Sequence, residues 1–303
     1  MKPEPEVVEF AQRLADAAGD VIRQYWRQPL VIKEKFDASR VMPSEPVTEA
    51  DRGAERAMRD LISATYPAHG ILGEEFGETN PLAEWVWVLD PIDGTKSFTS
   101  GKPLFGTLVA LCYRGVPVLG VIDQCVLGER WVGDGETTTF NGKLVSAEGK
   151  DRIENCLAYA TTPSMFAPGY ETAAFEALRR RTKRTLYGCD CYAYALLASN
   201  FGVDLVVEAD LQPYDYLSLV PVLSGAGALI TDWRGNPLTL HSASSKGRVL
   251  AAANPTIHKA AIDLLRRPPL DLYLLNRPKL AISLGAAVAM LGALLLGNSR
   301  RLF

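Results

Sequence analysis

Asp90 and Asp93 close the segment Trp85-Val86-Trp87-Val88-Leu89-Asp90-Pro91-Ile92-Asp93-Gly94-Thr95, whose first half alternates bulky apolar residues like a buried strand. Strand tips suit chemistry, because the sheet holds them still while the loop beyond exposes them. Pro91 fixes its own φ, Gly94 lets backbone approach a ligand, and Thr95 can cap the helix that follows. Two carboxylates three residues apart around such a turn can aim at one point, and hard cations such as Mg²⁺ take oxygen ligands of that kind. The bare Asp-x-x-Asp spacing also fits a solvated turn. Glu74 and Glu75 upstream and Asp215 downstream favour the metal reading.

The elements that must position these groups follow from periodicity. Phe10, Leu14, Ala18, Val21 and Ile22 recur at helical spacing over residues 6–27. Residues 33–46 mix charge, serine and two prolines and read as a mobile loop. Thr48 opens a second helix with Asp51 as its capping-box partner, so this pair also has a purely structural reading. Strands are expected near 70–73, 85–90, 105–113, 116–123 and 129–132, and the Arg114-Gly115 step predicts an antiparallel hairpin. From about residue 151 helix and strand alternate: helices near 170–181, 190–200, 215–226 and 256–266, strands near 156–160, 203–208, 228–232 and 248–252. The chain divides into an α+β unit over 1–150 with most of the acidic groups, an α/β unit over 151–267, and an extension over 268–303.

Composition removes several classes. A net charge of −3 argues against nucleic acid as a main partner. Five cysteines without zinc-type spacing point to free thiols in a reducing compartment. His69, His241 and His258 are scattered, which argues against a phosphohistidine mechanism. Met1-Lys2-Pro3-Glu4-Pro5-Glu6 has no apolar run of the secretory type. Residues 280–297 carry no charge and, as a helix, would span roughly 27 Å, close to the hydrocarbon thickness of a bilayer. They read as an apolar helix that tethers a cytoplasmic catalytic domain to a membrane, or as one that docks on the domain or a second subunit.

Asp90-Pro91-Ile92-Asp93-Gly94-Thr95 resembles the signature of the Mg²⁺-dependent inositol monophosphatase family. Val47-Thr48-Glu49-Ala50-Asp51, Gly73-Glu74-Glu75, Glu208 and Tyr214-Asp215-Tyr216 match it in the same order, and the resemblance covers most of residues 5–266. Lys96-Ser97-Phe98 and Gly188-Cys189-Asp190-Cys191-Tyr192-Ala193-Tyr194 most resemble the histidinol-phosphatase branch, while Ser224 and Ala228 depart from it. The resemblance implies a five-layer αβαβα sandwich, a homodimer, a small phosphorylated metabolite as substrate and two or three Mg²⁺ ions. Glu74, Asp90 and the Ile92 carbonyl would hold the first ion, Asp90, Asp93 and Asp215 the second, with a looser third near Glu74. Four carboxylates plus a phosphate dianion repel one another unless cations compensate them. Thr95, backed by Asp51, would orient the attacking water.

The N–H groups of Gly94 and Thr95 are suited to phosphate oxygens. Glu75 is either a neighbour of the ligands or a solvent-facing carboxylate. Glu208 would contact the alcohol part of the substrate. Asp190 stands where many inositol-type members carry Ser or Thr, and a carboxylate there suits an ammonium group, which histidinol phosphate has and inositol phosphate lacks. Asp190 also has a structural reading, as cap of the helix that begins there. Tyr192 and Tyr194 are core residues or face an imidazole. The expectation that follows is a histidinol-phosphatase in histidine biosynthesis. Its rivals are an inositol-1-phosphate phosphatase and a membrane-tethered binding protein without activity.

Overall fold

The computed structural model describes residues 2–242 and 245–275. Helix α1 (Pro5–Tyr25) starts with proline in its first turn and buries Phe10, Leu14, Ala18 and Ile22. Strands β1 (Lys33–Phe36) and β2 (Ser44–Val47) then pair antiparallel, Lys33 opposite Val47 and Phe36 opposite Ser44. The expectation of a mobile loop over 33–46 is therefore corrected to a hairpin. Its strands lack apolar alternation, and the polar contacts that hold it come from distant parts of the chain. Helix α2 (Glu49–Thr65) opens on the expected capping box of Thr48 and Asp51.

Strands β3 (Gly70–Gly73), β4 (Gly77–Thr79) and β5 (Trp85–Asp93) are followed by the short helix α3 (Thr95–Thr99). Then come β6 (Gly106–Tyr113), β7 (Val116–Gln124), β8 (Glu129–Gly133), β9 (Thr138–Phe140) and β10 (Lys143–Leu144). Together they form an eight-stranded sheet in the order β10-β9-β8-β7-β6-β5-β3-β4, antiparallel except between β3 and β5. The Arg114-Gly115 turn between β6 and β7 has positive φ at both residues, as a tight hairpin of this kind requires. β5 is expected to stop at Asp90. Instead its pairing with β6 shifts register between Asp90 and Asp93, and Thr107 Oγ1 donates to the Pro91 carbonyl inside that irregularity at 2.9 Å. A bulge of this type re-aims side chains, and here it lies between the two aspartates.

The second unit comprises β11 (Leu157–Ala160), α4 (Tyr170–Arg181), β12 (Arg184–Tyr187), α5 (Cys191–Ala198) and β13 (Leu205–Glu208). It continues with α6 (Pro213–Tyr216), α7 (Leu219–Gly225), β14 (Leu229–Thr231), β15 (Val249–Ala252), α8 (Pro255–Arg266) and α9 (Leu270–Leu275). Its sheet runs β12-β11-β13-β15-β14, with β12, β11 and β13 parallel. The single helix expected over 215–226 is two, α6 and α7. Pro221 has no N–H to give the Leu217 carbonyl, so the hydrogen-bond ladder breaks there while Leu217 and Ser218 keep helical angles.

The layers follow from the faces of β5. Val86 and Val88 enter one core, with Trp131, Tyr194 and Leu219, which lies between the two sheets and around α5 and α7. Trp87 and Leu89 enter another with Phe10, Leu14 and Met58, under α1 and α2. Phe175, Leu178, Leu250 and Ile257 form a third, between the smaller sheet and α4 and α8. Helices, sheet, helices, sheet and helices make the αβαβα order that the resemblance implies. The domain was expected to close with the helix over 256–266, but α9 extends it and buries Leu272 against Ala173 and Ala177 of α4. Among the described residues no helix is long and apolar enough to cross a membrane, and the apolar segment 280–297 lies outside them.

Candidate active site

Asp90, Asp93 and Asp215 converge so that one carboxylate oxygen from each lies within 4.8 Å of the others. Each is anchored by a backbone N–H. Asp90 Oδ1 accepts from Ile92 at 3.0 Å, Asp93 Oδ2 from Cys191 at 2.5 Å, and Asp215 Oδ2 from Gln212 at 2.7 Å. Burial pushes all three well above the usual carboxylate range. The charges of Glu74, Asp93 and Asp215 add to this at Asp90, those of Asp190 and Asp215 at Asp93, and that of Glu74 at Asp215. Three mutually repelling oxygen donors, Asp90 buried and Asp93 and Asp215 half-buried, are a set that a hard divalent cation fits.

Glu74 stands beside them, its Oε1 accepting from Lys35 Nζ at 2.6 Å. The Ile92 carbonyl accepts from Thr95 Oγ1 at 3.0 Å. The same lysine bonds Glu75 Oε1 at 2.7 Å, and Arg52 Nε lies 3.7 Å from Glu75 Oε2. The side chain of Glu75 is only 1% exposed, so its reading as a solvent-facing carboxylate is corrected: it is an ion-paired support beneath the hairpin.

These environments set the sign of a pH dependence. Burial pushes Glu74 up to about 7 and Asp51 up to about 6. A carboxylate with a higher pKa folded than unfolded stabilises the fold fully below its unfolded value, and that contribution is lost as pH climbs through the folded value. Chelator-treated protein should therefore melt higher at about pH 5 than at about pH 8, and added Mg²⁺ should recover most of the loss. Melting curves at both pH values with chelator or MgCl₂ check this. A metal-free melting temperature that stays flat between them would contradict it.

Asp51 reaches both Thr48 and Thr95, through different oxygens. Oδ2 accepts from the Thr48 N–H at 2.8 Å and Thr48 Oγ1 at 2.6 Å, while Oδ1 lies 3.4 Å from Thr95 Oγ1. Gly94, with φ 90°, precedes Thr95, and a Cβ there would stand 3.0 Å from both Asp190 Oδ2 and the Leu104 carbonyl. Only glycine allows this approach between the two units.

Gly188, Cys189 and Asp190 have φ of 87°, 84° and 44°, a run of positive φ that two non-glycine residues adopt at a cost. This corner carries Asp190 to the start of α5, yet its side chain accepts from none of that helix's amides. The capping reading is corrected: Asp93, from the other unit, accepts from Cys191 instead. Asp190 Oδ1 lies 3.4 Å from Thr161 Oγ1. Burial and then the charge of Glu208 push Asp190 up to about 7, against the opposing charge of Lys96. Glu208 is buried and accepts from the Thr161 N–H at 2.8 Å and Tyr194 Oη at 2.9 Å. Tyr194 is thus a core residue whose hydroxyl steadies Glu208, whereas Tyr192 donates to Glu129 at 2.5 Å and meets Trp131 edge-on.

One pocket is lined by Glu74, Asp90, Asp93, Thr95, Asp190 and Glu208. Asp215 and Gly94 line it too, as do Lys96 and, from the hairpin, Arg40, Met42 and Glu45. Sequence reasoning missed the hairpin residues and Lys35. Their only signal was a dense set of charges in a stretch that reads as solvated.

A sequence profile described as the inositol monophosphatase family matches residues 4–268. The chain belongs to the inositol monophosphatase family. Among similar members is the bifunctional phosphatase IMPL2, chloroplastic, of Arabidopsis thaliana, 49% identical over 83% of this chain and 72% of that protein. A histidinol-phosphatase of Chlorobaculum parvum is 33% identical over 75% of this chain and 86% of its own length. The solved structure of an inositol monophosphatase from Zymomonas mobilis superposes with a TM-score of 0.75 at 40% identity, covering 86% of this chain and 98% of that one. Inositol monophosphatase family membership makes this chain a phosphoric monoester hydrolase.

Proposed function

We propose that the chain is a Mg²⁺-dependent histidinol-phosphatase that converts histidinol phosphate and water to histidinol and phosphate in histidine biosynthesis. The observation that carries this reading is Asp190: a carboxylate held in the pocket by strained backbone, bonded to no amide of the helix it begins. A carboxylate opposite an ammonium forms the stronger, charge-assisted kind of hydrogen bond. Glu208, already oriented by Tyr194 and Thr161, faces the alcohol part beside it. Glu74, Asp90, Asp93, Asp215 and the Ile92 carbonyl hold the metal, which when bound offsets their charge and lowers the pKa of water.

The rest falls to the chain. The N–H groups of Gly94 and Thr95 bind phosphate oxygens. Thr95 Oγ1 orients the attacking water, and its hydrogen, which the Ile92 carbonyl accepts at 3.0 Å here, turns to Asp51 Oδ1 at 3.4 Å when that carbonyl holds the metal.

A second reading, hydrolysis of inositol 1-phosphate, is favoured by the 40% identity to the inositol monophosphatase of Zymomonas mobilis. Steady-state kinetics on both substrates separates the two. One charge-assisted contact, worth about 1.5–3 kcal/mol, corresponds to a kcat/KM preference of roughly 10- to 150-fold for histidinol phosphate. Equal values or a reversed preference would replace this reading with the second.

A further inference from the structure

Asp210 follows Glu208 by two positions, yet its carboxylate binds the tip of a hairpin 169 residues away in the chain. Asp210 Oδ2 accepts from the backbone N–H of Val41 at 3.1 Å and of Met42 at 3.3 Å, and Arg40 Nε lies 3.2 Å from the same oxygen. The Asp210 and Arg40 side chains are each 11% exposed. The hairpin needs such a tie. Of its strand residues only Val47 is buried, Phe36 is 74% exposed, and an isolated two-stranded hairpin is marginal in water. Its first strand is held by Lys35 on Glu74 and Glu75, and its tip by Asp210.

From this geometry we propose that Asp210 is a positioning residue, a latch that fixes the β1–β2 hairpin so that Arg40, Met42 and Glu45 form one wall of the pocket during turnover. The latch acts through backbone N–H groups, so it works whatever side chains stand at 41 and 42. Charge-assisted bonds to a largely buried carboxylate are the stronger kind, and Arg40 brings a compensating charge to the same oxygen. Its effect on turnover rests on the phosphatase reading above; its effect on the hairpin does not.

Asp210→Gly in the full chain is the direct test. Asp210 has φ 65°, which glycine adopts without strain, so the variant removes the acceptor and leaves the backbone path open. Asp210→Asn keeps a neutral acceptor and loses the ion pair with Arg40. Amide hydrogen exchange at Val41 and Met42 should quicken by about tenfold or more in Asp210→Gly and by less in Asp210→Asn, with β5 amides unchanged as a report on the fold. KM for histidinol phosphate should rise about tenfold while kcat stays within about threefold and the Mg²⁺ half-saturation point does not move. The same shift with p-nitrophenyl phosphate alone would uphold the latch and count against the substrate assignment. Native exchange at 41 and 42 in Asp210→Gly would overturn the latch, as would faster exchange with unchanged KM on both substrates. A raised KM with native exchange would make Asp210 a direct substrate contact instead.

Discussion

Asp93→Asn and Asp215→Asn should each cut turnover by more than about a hundredfold, beyond what losing an outer-shell partner of a metal ligand commonly costs. Each change removes an anionic oxygen donor from a cluster whose three ligand atoms lie within 4.8 Å of one another. The fold should survive, because an amide oxygen can still accept from Cys191 at position 93 and from Gln212 at position 215. Metal-free stability should hold or rise, since one of several repelling carboxylates is gone. Calorimetric Mg²⁺ titration, activity against free Mg²⁺ and melting curves in chelator together read these effects. Full turnover of the native chain in excess chelator would end the metal assignment. Variants that bind Mg²⁺ as tightly as the native chain would show that these two aspartates are not its ligands.

How much of this was legible in the sequence depends on how local each feature is. β5 and its terminal carboxylates are local: the apolar alternation, the proline and the glycine sit within eleven residues, and one strand feeding two cores explains why both of its faces are apolar. The capping box at Thr48 and Asp51 is local as well, which is why the helix start was readable while the second use of Asp51 needed the family resemblance. The hairpin is the opposite case. Its residues look solvated because their partners, Glu74, Glu75 and Asp210, belong to other elements, and no periodicity reports a lysine between two distant glutamates. The corner before α5 was hidden for another reason. Gly188 signals positive φ, but nothing in Cys189 or Asp190 does, so the sequence favoured an ordinary aspartate cap. Strand β12 escaped because Arg184, its first residue, continues the basic end of α4 and it lies at the edge of its sheet, with both end residues exposed.

Asp190→Ser should weaken histidinol phosphate binding by about 1.5–3 kcal/mol, roughly 10- to 150-fold in KM, and leave β-glycerophosphate hydrolysis nearly unchanged. The reason is charge: serine can accept a hydrogen bond from an ammonium but brings no anion to it, and a phosphate ester of an uncharged alcohol gains nothing from either. Two structural effects must be separated from this. Position 190 has φ 44° and ψ −133°, a conformation that costs any side-chain-bearing residue, so Asp190→Asn, which changes the side chain's shape least, is the control that removes only the charge. Losing the carboxylate also relieves Asp93 and Glu208 of a neighbouring charge, which shifts both substrates together through the metal site. The Mg²⁺ half-saturation point measures that shared part directly. The selective part is the loss for histidinol phosphate beyond the loss for β-glycerophosphate, and it should appear at nearly full size in Asp190→Asn. If the two substrates fall equally in both variants, Asp190 supports the corner before α5 without reading the substrate, and the preference for an ammonium-bearing ester would have to come from Glu208 or from Glu45 on the hairpin.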